Sequence, residues 1–162
     1  MATVCVCGIA RAHRVNDFVI KALHLTQIPP KVYPSDTKPA RAIPAARAEE
    51  LGRSFQTVKY PVIGETADSW IFAEKTSEIG DVRRTHDGES LKTAPVDGPA
   101  STQALREYDC KSRKYRSVIF WAWLRPLFDG QNVRPLNPSE EWVSPSAGSV
   151  GELLVNAVCA AS

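Results

Sequence analysis

What the sequence lacks narrows its function first. No window approaches the roughly 18 consecutive apolar residues of a membrane-spanning helix, so an integral helical membrane protein is not expected. Charge of one sign is missing too: 20 Lys and Arg stand against 18 Asp and Glu, formally +2. That balance gives no electrostatic argument for nucleic acid or an anionic membrane. There is no internal repeat, phosphate-binding glycine loop, dinucleotide fingerprint or serine elbow. A secretory signal needs a basic start followed by about 7–15 apolar residues. "MATVCVCGIARAHR" has its apolar run first and Arg11, His13 and Arg14 after it, so the start does not read as one, and an organelle-targeting reading of it is weak.

What is present is a globular composition, 43% apolar and 23% charged over 162 residues, enough for one domain with a real core. The chain divides near residue 66. Upstream, "QIPPKVYPSDTKPARAIPAARAEE" carries Pro29, Pro30, Pro34, Pro39 and Pro44, each fixing φ and removing a backbone donor. Residues 1–66 therefore read as a poorly structured, proline-rich region. Two short helical pieces interrupt it, "NDFVIKALHL" and "AARAEELGRSF", the latter ending at Gly52.

Residues 67–162 read as an α+β domain, a small antiparallel sheet packed by a C-terminal helix. "DSWIFAE" supplies a strand, "THDGES" a turn at Asp87-Gly88, and "TAPVDGPAS" a loop. From Tyr115 to Leu124 the residues suit a pleated surface. Strict alternation would place Tyr115, Ser117, Ile119, Trp121 and Trp123 on one face and Arg116, Val118, Phe120, Ala122 and Leu124 on the other. Both faces are apolar after Ser117, as in a central strand. Pro126 ends it, "FDGQNV" turns on Asp129-Gly130, and a short strand returns through Val133. Ser149 and Glu152 form a capping box for a helix whose stripe is Val150, Leu153, Leu154, Ala157 and Val158.

Four cysteines allow three fully paired connectivities. A bridge between Cys5 and Cys7 would be strained. Cys110 and Cys159 each adjoin a well-defined element. Joining them would close a loop of ~50 residues, worth roughly 4 kcal/mol in the chain-entropy model, and imply an oxidising compartment. Two reduced, buried thiols fit the pattern equally well. A thiol-enzyme set can be drawn from Cys110, His86 and Asp109, but nothing in the spacing supports it. Cys5, Cys7 and His13 make only a weak metal pattern, and no metal or cofactor is expected. Lys111, Arg113, Lys114, Tyr115 and Arg116, with Tyr108, suit an anionic partner such as a sulfated glycan. The ordinary reading is a solvated cluster ahead of a buried strand. Trp121 and Trp123 read as core or subunit-interface residues.

The order "EYDCKSRKYRS", aromatic strand, "DGQNV" turn and "EEWVSPSAGSVGELLVNAVC" resembles the surface-adhesin protein E family of small bacterial envelope proteins. The matching positions are Asp109, Cys110, Arg113, Arg116, Gly130, Trp142, Pro145, Ser146, Val158 and Cys159. The resemblance covers residues 101–160 well, 68–100 faintly and 1–66 not at all. It implies an antiparallel sheet with a C-terminal helix, a Cys110–Cys159 disulfide, an envelope location, and non-enzymatic attachment to host matrix proteins. With it go the expectations of a protein or anionic-glycan ligand, no nucleic acid, and room for a homodimer. The alternative is a cytosolic protein-interaction domain with reduced thiols.

Overall fold

The computed structural model describes residues 38–55, 60–133 and 140–160. Cys5, Cys7, His13 and the expected helix at residues 16–25 lie outside them. Seven strands run in chain order as an antiparallel meander: β1 (Arg41–Ala42), β2 (Val62–Glu65), β3 (Ser69–Ile79), β4 (Val82–Leu91), β5 (Ser101–Asp109), β6 (Lys114–Trp123) and β7 (Asn132–Val133). Helix α1 (Ala45–Ser54) lies between β1 and β2, and helix α2 (Val150–Ala160) closes the chain. The architecture is the α+β arrangement read from the sequence. The expected helical piece "AARAEELGRSF" is present as α1, and the stretch around it, whose composition points to irregular chain, also contributes β1 and β2. Gly52 does not end α1, which continues to Ser54.

The two helices take opposite faces. On one, Val150, Leu154, Val155 and Val158 of α2 pack on Ile71, Ala73, Tyr108 and Tyr115. On the other, Leu51, Val62 and Phe72 form a second core, joined by Phe55, Trp70, Leu127 and Phe128. The stripe of α2 is thus centred on Leu154 and Val155, while Leu153 is only partly buried at the rim. The capping box forms with one change. Ser149 Oγ accepts the Glu152 N–H at 3.2 Å, but Glu152 returns to the Gly148 N–H, at 2.6 Å, one residue earlier than the standard motif.

Two sequence signals mislead for physical reasons. The β3–β4 turn falls at Gly80-Asp81, where Gly80 has φ 59, and Asp87-Gly88 sits mid-strand. Gly88 is needed there for close approach: a Cβ would come within 2.9 Å of the Phe128 ring and 2.5 Å of the Thr102 carbonyl oxygen. Strict alternation fails in β6 because Ile119 faces Leu105 while Ser117 faces Arg106, leaving Val118 as a bulge. Tyr115 and Ser117 thereby share the α2 face with Phe120 and Ala122, and Ile119, Trp121 and Trp123 move to the face of Arg116. Nor is β6 flanked by full strands on both sides: β5 pairs along its whole length, but among the described residues β7 pairs only with Ala122 and Trp123, and Val143 makes a single bridge to Tyr115.

Under α2 the sheet buries polar groups as well as apolar ones. Asp87, 1% exposed, meets the Arg106 guanidinium and accepts the Tyr108 hydroxyl at 2.7 Å. Arg106 Nε donates to Ser117 Oγ at 3.3 Å, and its guanidinium lies 5.5 Å from the Tyr115 ring centre. Arg83, also buried, donates to the Val158 carbonyl at 2.6 Å in the last turn of α2. A Cys110–Cys159 disulfide fastens the same end of the helix to the β5–β6 hairpin.

Candidate functional site

The basic cluster read from the sequence is divided by the fold. Asp109 ends β5, and its carboxylate accepts the Ser112 hydroxyl at 2.6 Å and the N–H groups of Lys111 and Ser112 at 3.0 and 3.1 Å. These bonds, the Ser112 hydroxyl first, hold its pKa below the usual carboxylate range. They fold the turn that presents Lys111, Arg113 and Lys114 together at an exposed tip. Arg113 turns toward Asn156 of α2. Once β6 begins, alternation separates the remaining two residues. Tyr115, 6% exposed, enters the core under α2, and Arg116 goes to the opposite face. The thiol set is likewise not assembled, because Cys110 is bonded to Cys159 and Asp109 is committed to the turn. His86 faces Leu105, well along β5 from Asp109, which faces Val82.

The opposite face carries the larger surface. Helix α1 and the turn Pro126–Phe128 cover its β2–β4 end. Beyond them His86, Leu105, Ile119, Trp121 and Trp123 are half-buried, and Tyr60, which also packs against the second core, stands beside them. The register explains their neighbourhood: His86 faces Leu105, Leu105 faces Ile119, and Gln103 faces Trp121. Three rings form a row. Tyr60 lies 6.0 Å from His86 at 21°, and His86 lies 6.2 Å from Trp121 at 30°. His86 Nδ1 and Trp123 Nε1 are buried without a hydrogen-bond partner among the described residues.

Arginines border this row. Glu107 accepts Arg84 and also Arg116 Nε at 2.8 Å, and the Arg116 guanidinium lies 4.8 Å from the ring centre of Trp142, which is 37% exposed. The Arg84 bond leads in holding the Glu107 pKa below its ordinary 4.5, against the effect of burial. A depressed folded pKa means that the ion-pair stabilisation is complete above the unfolded value and is lost as pH falls through the folded one. Glu65 and Asp68 are depressed in the same direction, by Lys92 and by Thr66 respectively as the leading partners. The contribution of these three carboxylates is therefore expected to be complete near neutrality and to decline progressively below about pH 4.5. Glu107→Gln should flatten part of that decline, as thermal melts at pH 7 and pH 3.5 would show; an unchanged difference between the two would contradict the assignment.

Trp, Tyr and Arg are the residues enriched at interface centres, and here they share one face of a rigid sheet. Sequence reasoning singled out Trp121, Trp123 and Arg116 and set Ile119 on the face of the two tryptophans, but it did not single out Tyr60 or Leu105, which come from other segments. Only the register, with its bulge at Val118, brings these together with Arg116. Among the described residues no group of His, Cys, Asp and Glu has the arrangement of a metal site. No curated protein and no solved structure matches the chain. The surface-adhesin protein E family model matches residues 65–160, from the last residue of β2 to the last of α2, and the chain therefore belongs to the surface-adhesin protein E family.

Proposed function

We propose that this chain is a non-enzymatic binding module of the bacterial cell envelope that attaches to host matrix proteins through the open face of its sheet. Membership of an adhesin family supports the class of function. The disulfide supports an oxidising compartment, and none of the helices described is long and apolar enough to cross a membrane. The observation that carries the site is the Tyr60–His86–Trp121 row bordered by Arg84, Arg116 and Trp142. Flat, amphipathic rings lose little conformational entropy on binding and supply most of the contact energy.

A second reading places attachment at the tip, where Lys111, Arg113 and Lys114 would hold an anionic glycan. Surface binding of the oxidised protein to immobilised collagen, fibronectin and laminin separates the two. Trp121→Ala is expected to weaken binding at least about 10-fold, with circular dichroism unchanged and little dependence on salt. A Lys111→Ala/Lys114→Ala variant is expected to bind as the parent does. The reverse pattern, with affinity falling steeply as salt rises, would move the site to the tip.

A further inference from the structure

Strand β4 carries two carboxylates into the interior. Asp87 and Glu89 lie two residues apart, so both point toward the α2 face, and they are 1% and 7% exposed. Each centres a polar network of its own. Asp87 holds Arg106 and Tyr108, and Arg106 extends that network to Ser117 of β6. Glu89 Oε1 accepts the Ser69 hydroxyl at 2.5 Å and lies 3.7 Å from the Lys38 ammonium. The Ser69 and Thr66 hydroxyl oxygens are themselves 2.5 Å apart. Roughly 6–7 Å of strand separates the two acidic residues, a spacing at which buried like charges repel unless counter-ions and a shared donor intervene.

The packing of α2 leaves a small space beside both. A cavity that offers about 10 Å³ to the centre of a water molecule is walled by Asp87, Glu89 and Arg106 on its polar side and by Ala104, Val150 and Leu154 on its apolar side. That is room for about one water, and an internal water needs about two to four polar partners. We infer that this cavity is the site of one internal water molecule that joins the two networks. Its two O–H groups donate to the Asp87 and Glu89 carboxylates. Each carboxylate has about four acceptor positions, so the bonds already made are kept. Arg106 and Lys38 balance the two negative charges, so the guest is neutral, and the volume admits nothing larger than water. The result is one continuous polar seam beneath α2, running from Ser117 in β6 to Lys38 ahead of β1.

Water–methyl NOEs and oxygen-17 relaxation dispersion, measured on the whole oxidised chain, test the site. Ala104, Val150 and Leu154 are 1%, 2% and 2% exposed, so surface water does not reach their methyl groups. NOEs from water to these methyls, with the sign of a long-lived contact, are expected. Ala104→Val fills the cavity from β5. It is expected to abolish those NOEs and to remove one long-lived water from the dispersion amplitude, with circular dichroism unchanged. Should that variant fail to fold, Val150→Ile fills the same space from the helix and is expected to give the same two losses. Absence of the NOEs in the parent would show that the cavity is dry. A dispersion amplitude unchanged in a folded, filled variant would show that the NOEs come from hydroxyl protons exchanging with solvent. Either result overturns the proposal.

Discussion

Replacing Asp87 by alanine is expected to cost about 3–5 kcal/mol of unfolding free energy, a large share of the roughly 5–15 kcal/mol typical of a domain. The cost comes from what is left behind. Arg106 is 5% exposed and Tyr108 fully buried, so deleting the carboxylate takes from a buried guanidinium its ion-pair partner and from a buried hydroxyl its acceptor, away from bulk water. Replacing the whole group behaves differently. With Asp87→Leu, Arg106→Met, Tyr108→Phe and Ser117→Ala together, the four polar side chains of the cluster are replaced as a group, and stability is expected to return to within about 2 kcal/mol of the parent. Urea unfolding followed by tryptophan fluorescence reads both effects from the midpoint at constant m. A loss below about 1 kcal/mol for Asp87→Ala would mean that water or another side chain reaches Arg106, and the cluster would then not be a buried one.

That cluster also shows where sequence reading stops. Asp-Gly is a strong local turn signal, and at Asp129-Gly130 it reports correctly, since Gly130 has φ 81 and β7 returns to pair with β6. At Asp87-Gly88 the same dipeptide serves two long-range demands: the aspartate is the counter-ion of Arg106, and the glycine makes room for Phe128, some 40 positions away. Local propensity contains neither. The helix α2, the loop before β5 and the aromatic strand were legible because each is specified by its own neighbours in sequence. The face assignment of Trp121 was not, because a single extra residue, Val118, inverts every side chain after it. The candidate site inherits that difficulty: Arg116 and the tryptophans are visible as residues, while their meeting with His86 and Tyr60 depends on the inverted register. The pairing of Cys110 with Cys159 was open from the pattern alone and was implied only by the family resemblance.

Replacing both Cys110 and Cys159 by serine is expected to destabilise the protein by roughly 4 kcal/mol, the chain-entropy value for a bridge spanning about 50 residues, without erasing the fold. The sequence separation of 49 sets the size. The remaining fasteners of α2 explain why the fold survives. Its N-terminal end is tied by the Val150 N–H to the Lys38 carbonyl at 3.0 Å, and its last turn by Arg83 to the Val158 carbonyl. Arg83 and the disulfide secure the same turn, so their losses should not add. Removing Arg83 from the oxidised protein should be mild, whereas removing it from the double-serine variant should release the C-terminal turn. Amide hydrogen exchange at residues 155–160 would show protection falling there first, ahead of Ile71 and Tyr108 in the sheet. Simple additivity of the two losses would mean that the bridge acts only on the unfolded chain and that Arg83 alone positions the helix end. Coupling would mean that the bridge also fixes where α2 sits, so that reduction would loosen the helix before it unfolds the sheet.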